Sequence, residues 1–187
     1  MKIKHIYGGV NVQPLLWALH ANPQLWNGHS GRTKPADSPH CDVDDIWIRY
    51  AGGGSITGEA HESVWYPAAD VLPVHDIVFP LMASVDGERL GGVLITRIRA
   101  GKSCRAHVDT GWHARYYAKF AVQVQSAPGQ FFCFDGEQLE PAPGDVYTFD
   151  NSFRHWVTND TAHDRITMIV CIKTGAKPCL GQQQQQQ

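Results

Sequence analysis

Three side chains in this chain can make a metal site, and a fourth can hold an acid beside it. His107 and Asp109 flank Val108, and residues i and i+2 of an extended strand point the same way. A distant histidine, His155, completes a set of two imidazoles and one carboxylate. Such a set occupies one face of an octahedron and suits non-haem Fe(II), with positions left open for a bidentate 2-oxo acid and dioxygen. Arg165 follows His155 by ten residues. A guanidinium is planar, stays charged and grips a carboxylate through two parallel hydrogen bonds, so Arg165 suits the anchor of a dicarboxylate co-substrate.

His-x-Asp alone is a weak signal, since ten histidines among 187 residues meet aspartates at this spacing about once by chance. A second pair exists, His40-Cys41-Asp42. The arginine separates the two. A hairpin turn near Asn159-Asp160 places Arg165 on the strand next to His155, aimed into the same cavity. His40 lies in a Pro/Ser setting that is not strand-like, and it is set aside as a ligand. His163 has Lys173 at the same offset, but a guanidinium fits a carboxylate pocket better. Taken singly, Arg165 could be a surface partner of Asp160 or Asp164, and the histidines polar strand residues. Taken jointly, the four favour a site.

The elements that must position these groups are short strands. From Gly91 onward, β-rich runs are split by Gly, Pro, Asp and Asn. They predict strands near 92–99, 104–108, 116–125, 130–134, 145–150, 153–158 and 164–173, and an all-β sandwich or barrel. The last run is apolar on both faces. Ile166, Met168, Val170 and Ile172 share one; Arg165, Thr167, Ile169 and Cys171 share the other. A strand of that kind is covered on both sides. The available outer cover is N-terminal. Leu15, Leu16 and Leu19 recur at helical spacing, Pro14 suits a first turn, and Asn22-Pro23 stops the helix. Residues 27–45 read as a long surface connection. Asp45 to Tyr50 alternates as a strand, with Trp47 and Arg49 facing away from Ile46 and Ile48. Gly52-Gly53-Gly54-Ser55 lacks the ending of a phosphate-binding loop and reads as a plain loop or a lid.

Arg99 to Ile172 resembles the aspartyl/asparaginyl β-hydroxylase family of Fe(II)/2-oxoglutarate oxygenases. The resemblance is carried by Ala100-Gly101, Cys104, His107-Val108-Asp109-Thr110-Gly111, Gly144-Asp145, Phe149-Asp150-Asn151-Ser152 with His155 and Asn159, and Arg165. It implies a mainly β fold, a cupin-like double-stranded β-helix or jelly roll, with N-terminal helices packed on one sheet. It implies His107, Asp109 and His155 on iron, and Arg165 on the far carboxylate of 2-oxoglutarate. The implied reaction is hydroxylation of an unactivated C–H, with decarboxylation of 2-oxoglutarate to succinate. Ascorbate is an expected supporting reductant. Three features depart from the pattern. Ala100 replaces a proline, one extra residue separates Gly101 from His107, and no histidine follows in Tyr116 to Val122. Lys119 or Tyr117 is the expected substitute contact to the co-substrate. Trp47, Arg49, Trp112, His113 and Arg115 are the candidate substrate contacts.

Composition bounds the rest. Residues 1–180 are expected to form one domain, with 1–90 as helical and strand cover and lid, 91–175 as β-helix core, and 181–187 as a disordered Gln-rich tail. A net charge of -2 gives no electrostatic case for nucleic acid. No apolar run approaches a membrane span, no secretory leader is evident at Met1, and five cysteines form no Cys-x-x-Cys pair. A cytoplasmic setting with reduced thiols is expected. The partners expected are dioxygen and a small-molecule or peptide substrate. Two other readings compete: a cupin-type metalloenzyme that does not use 2-oxoglutarate, and a non-catalytic binding module on the same barrel.

Overall fold

The computed structural model describes residues 1–54 and 58–175. The Gln-rich tail, Cys179 and Ser55, the end of the stretch expected to be a plain loop or a lid, lie outside them.

Eleven strands and four helices are described. The strands are β1 (Ile3–Tyr7), β2 (Val43–Ala51), β3 (Ser63–Trp65), β4 (Gly87–Ile98), β5 (Ser103–His107), β6 (Ala118–Gln125), β7 (Gln130–Phe134), β8 (Glu137–Leu139), β9 (Val146–Phe149), β10 (His155–Asn159) and β11 (Arg165–Thr174). The helices are α1 (Gln13–Ala21), α2 (Ala68–Val71), α3 (His75–Ser84) and α4 (Trp112–Tyr116). The strands form a major sheet in the order β1-β9-β6-β11-β4-β2-β3 and a minor sheet in the order β5-β10-β7-β8, all neighbours antiparallel. Two antiparallel sheets facing one another make the sandwich that the strand spacing predicts, and with it the mainly β, jelly-roll fold that the resemblance implies.

The helices cover the outer face of the major sheet, as the two-sided pattern of β11 requires. Ile166, Met168, Val170 and Ile172 pack there with Leu15 and Leu19 of α1 and Ile77, Val78 and Leu81 of α3. Pro14 stands in the first turn of α1 and Asn22 ends it. Pro80 lies inside α3 but on its exposed side, where the lost amide bond is open to water. A second apolar cluster fills the space between the sheets and includes Ala121, Phe132, Phe134, Tyr147, Phe149 and Val157.

The N-terminal part is more than a cover. It contributes β1, β2 and β3 to the major sheet itself. β1 and β3 escape the sequence pattern because each is a short edge strand with at most one buried residue.

The connection between β10 and β11 is also not the hairpin the spacing suggests. β10 belongs to the minor sheet and β11 to the major sheet, so residues 160–164 cross between them. Asn159 holds this crossing. Its buried amide donates to the carbonyls of Ile98, Arg99 and His163, and its side-chain oxygen accepts from Gln130. His155 and Arg165 therefore approach one cavity from opposite walls rather than from adjacent strands.

Candidate active site

A cavity of about 210 Å³ lies between the sheets. Its minor-sheet wall carries His107, Asp109 and His155. His107 and His155 are register partners across β5 and β10, with ring centroids 4.4 Å apart. Asp109 lies just past the end of β5, where its amide bonds to the carbonyl of Asn151 at 3.0 Å and keeps the chain extended. One ligand atom from each of the three lies within 4.8 Å of those of the other two.

Both imidazoles are held in one tautomer. Nδ1 of His107 lies 2.7 Å from the carbonyl of Arg105, and Nδ1 of His155 lies 2.9 Å from the carbonyl of Phe153. A carbonyl only accepts, so each Nδ1 carries the proton and each Nε2 keeps its lone pair. Burial lowers the pKa of His155 and favours its neutral form, outweighing the Phe153 carbonyl hydrogen bond and the nearby Asp109, which act upward. Burial works against ionisation of Asp109, but Lys119, His155 and an Asn151 hydrogen bond outweigh it and hold its pKa at about 2. Asn151 Nδ2 donates to Asp109 Oδ2 at 3.1 Å, and Lys119 Nζ is 3.9 Å from the same oxygen. Two imidazole lone pairs and an ionised carboxylate at this spacing fit a hard-to-borderline divalent ion.

Arg165 stands on the opposite wall, 2% exposed. Nη1 donates to Thr167 Oγ1 at 2.8 Å and Nη2 to the Tyr147 hydroxyl at 3.0 Å, while Nε is buried without a partner among the described residues. No carboxylate pairs with it among the described residues either. A buried guanidinium in that condition is costly unless an anion enters beside it. The carboxylate end of a 2-oxo dicarboxylate fits that need. Thr167, Ile169 and Cys171 share the cavity face with Arg165, as the alternation along β11 predicts.

Of the other candidate residues, Lys119, Trp47 and His113 line the cavity. His113 accepts from the Gly92 amide at 3.2 Å, and a Cβ on Gly92 would stand 3.0 Å from the Tyr50 ring. Arg49 does not line the cavity. The register of β2 against β4 slips between Trp47 and Arg49, which swings Tyr50 inward and leaves Arg49 over the ring of Trp65. Tyr117 and Arg115 line a separate groove that shares Asp109, Ala114 and Phe149 with the cavity. Tyr117 caps α4 ahead of β6, so the alternation that points Lys119 inward does not extend back to it. Trp112 stacks on Tyr116 with centroids 4.8 Å apart and is not a cavity residue.

Among the cavity residues that the sequence reading did not offer are Tyr147, Tyr50 and Arg32, and His40, which it set aside as a ligand, lines the cavity as well. Alternation along β9 could have found Tyr147. The register slip in β2 hides Tyr50, and nothing local marks Arg32 or His40, because residues 27–42 run across the cavity rather than only over the surface. The His40 ring lies 4.7 Å from that of His107. Asp42, its partner in the second His-x-Asp pair, turns out to Lys102 at 3.3 Å.

The family model described as aspartyl/asparaginyl beta-hydroxylase matches residues 76–174, just over half of the chain. No curated protein matches the chain in sequence. Among solved structures, the fold is similar to a prolyl hydroxylase from Trichoplax adhaerens bound to a hypoxia inducible factor peptide fragment, with TM-score 0.58, 11% identity, and 97% of this chain and 88% of that one covered. It is also similar to a 2OG-Fe(II) oxygenase family protein from Burkholderia pseudomallei, with TM-score 0.56, 17% identity and coverages of 94% and 87%. A viral collagen prolyl hydroxylase from Paramecium Bursaria Chlorella virus-1, in a 2OG complex, gives TM-score 0.55 at 13% identity, with 93% and 97% covered.

Proposed function

The chain belongs to the aspartyl/asparaginyl β-hydroxylase family, and from that premise we propose that it is an Fe(II)- and 2-oxoglutarate-dependent oxygenase. It hydroxylates an unactivated C–H of an amino acid, a peptide side chain or a related small molecule. The observation that carries this reading is the buried Arg165, with no carboxylate partner among the described residues, facing His107, Asp109 and His155 across one cavity.

His107, Asp109 and His155 would hold Fe(II), which when bound would supply the oxygen activation that C–H hydroxylation needs. The chain's own groups do the rest. Each histidine presents Nε2 because its Nδ1 proton is given to a backbone carbonyl. Asp109 is ionised without needing a base, since its pKa lies near 2. Arg165 binds the distal carboxylate of 2-oxoglutarate, and the Tyr147 hydroxyl, already at its Nη2, positions the fork. Lys119 is the nearest cation to Asp109 and is the second contact to the co-substrate. Ile98, Phe132, Val157 and Ile169 make the remaining walls apolar and keep bulk water from the reacting centre. Trp47, Tyr50 and His113 line the part of the cavity left to the substrate. No helix of the described residues is long and apolar enough to cross a membrane; the cytoplasmic setting is proposed from five cysteines that form no Cys-x-x-Cys pair.

The test is succinate formation from 2-oxoglutarate with Fe(II) and ascorbate, followed by a metabolite and peptide screen for products that gain one oxygen atom. Succinate that depends on Arg165 supports the reading. Turnover that persists unchanged in Arg165→Ala moves it to the cupin-type alternative. Absence of both succinate and metal uptake leaves a binding module.

A further inference from the structure

Two metal-capable groups beside this site have no part in the oxygenase reading: the thiol of Cys104 and the imidazole of His40. Cys104 lies on β5, opposite Val157 of β10, and faces the cavity. His40 is brought in by the connection before β2, which the Arg105 amide pins at the Pro39 carbonyl at 2.9 Å. Nδ1 of His40 is 3.2 Å from Sγ of Cys104. Ligand atoms of His40, Cys104 and His107 all lie within 4.8 Å of one another. A tetrahedral zinc with ordinary bond lengths separates a sulfur and a nitrogen ligand by roughly 3.5 Å, so the His40–Cys104 pair already stands near ligand spacing. Nδ1 of His107 is committed to the Arg105 carbonyl, which leaves Nε2 as its only ligand atom.

We propose that His40, Cys104 and His107 form a second metal position for a thiophilic divalent ion, zinc being the best fit. It excludes the facial set, because both positions need Nε2 of His107. The two sets differ in softness. Two imidazoles and a carboxylate accept iron, whereas two imidazoles and a thiolate select zinc. On binding, the Cys104 S–H bond breaks, the sulfur electron pair goes to the ion and the proton leaves to solvent, with no change of oxidation state. The position itself stands apart from the oxygenase reading. Only its consequence, that zinc inhibits by drawing His107 away from iron, rests on that reading.

Cobalt(II) is the probe, on the full chain. Asp109→Ala disables the facial set and leaves the proposed position whole. It is expected to bind one cobalt with a near-ultraviolet thiolate-to-cobalt charge-transfer band and tetrahedral visible bands. Adding Cys104→Ser removes the charge-transfer band. Adding His40→Gln instead weakens cobalt at least about tenfold, since even losing an outer-sphere partner of a metal site costs roughly 10–100-fold. If Cys104→Ser is unfolded by circular dichroism, His40→Gln carries the test. In the unaltered chain zinc inhibits succinate formation, and Cys104→Ser raises the half-inhibiting zinc concentration by a similar factor. A cobalt spectrum with no charge-transfer band in Asp109→Ala overturns the proposal. So does a band that survives Cys104→Ser, because the ion then sits on another thiol. If no succinate forms under any condition the oxygenase reading fails, while the cobalt spectrum still decides this position.

Discussion

The two walls of the cavity are built on different terms. The minor-sheet wall presents three groups at the end of β5, in the loop after it and at the start of β10. Their side chains are oriented mostly by backbone carbonyls two residues away, and His107 and Asp109 remain partly open. The major-sheet wall presents Arg165 from a central strand, 2% exposed and oriented by the side chains of Thr167 and Tyr147. One wall gathers partly open groups that could hold an exchangeable ion, and the other buries a fixed charge. On the proposed reading, metal binding and co-substrate binding should therefore fail separately when either wall is altered.

The largest expected effect breaks the minor-sheet wall. Asp109→Ala should lower 2-oxoglutarate turnover by more than the roughly 100-fold that loss of an outer-sphere metal partner can reach. Iron content after reconstitution should fall in parallel. Turnover within tenfold of the unaltered chain would remove Asp109 from the site.

The next effect breaks the opposite wall. Arg165→Met keeps an unbranched apolar stem and removes the guanidinium with its charge. A hydrogen bond to a charged group contributes roughly 1.5–3 kcal/mol, so the KM for 2-oxoglutarate should rise roughly 10–150-fold. Cobalt or iron affinity should stay unchanged. A loss of metal in this variant would mean that the walls are not independent.

His113 sharpens the comparison at the seam, because it ties α4, which follows the metal turn, to Gly92 of the major sheet. Burial, with Lys119 and His61 adding to it, lowers its pKa to about 3. The sign follows directly. Below the ordinary value near 6.5 the unfolded chain takes up a proton that the folded chain refuses, so stability falls as pH drops from about 6.5 toward 3. Each pH unit in that window removes about 1.4 kcal/mol from this group at most. Thermal melts of the metal-free protein at pH 7 and pH 5 should show the fall, and His113→Gln should flatten it. An equal fall in the variant would assign the acid sensitivity to other groups.

The smallest effect is expected for Tyr147→Phe, which removes one neutral partner of Arg165. A net 0.5–1.5 kcal/mol per hydrogen bond predicts a KM for 2-oxoglutarate raised roughly 2–10-fold with little change in kcat. A fall in kcat alone would place Tyr147 elsewhere in the reaction.

Much of this was legible from local pattern. His107-Val108-Asp109, His155 and Arg165 could be picked out by spacing, and the inward face of β11 by alternation, because side-chain direction in a strand is a local property. What escaped was decided by distance in space. The bulge in β2 replaced Arg49 with Tyr50, and α4 turned Tyr117 into the side groove.

Residue types and periodicity carried most of the strands, though not β1, β3 or β8, together with the two-sided pattern of β11 and the donor chemistry open to His107, Asp109, His155 and Arg165. Those follow from short-range sterics and from what each side chain can donate or accept. Only the tertiary structure decided that His155 and Arg165 face each other from opposite sheets, and that His40 lies against His107. Strand pairing and the path of a long connection are set by which surfaces bury one another, and no local window of sequence contains that information.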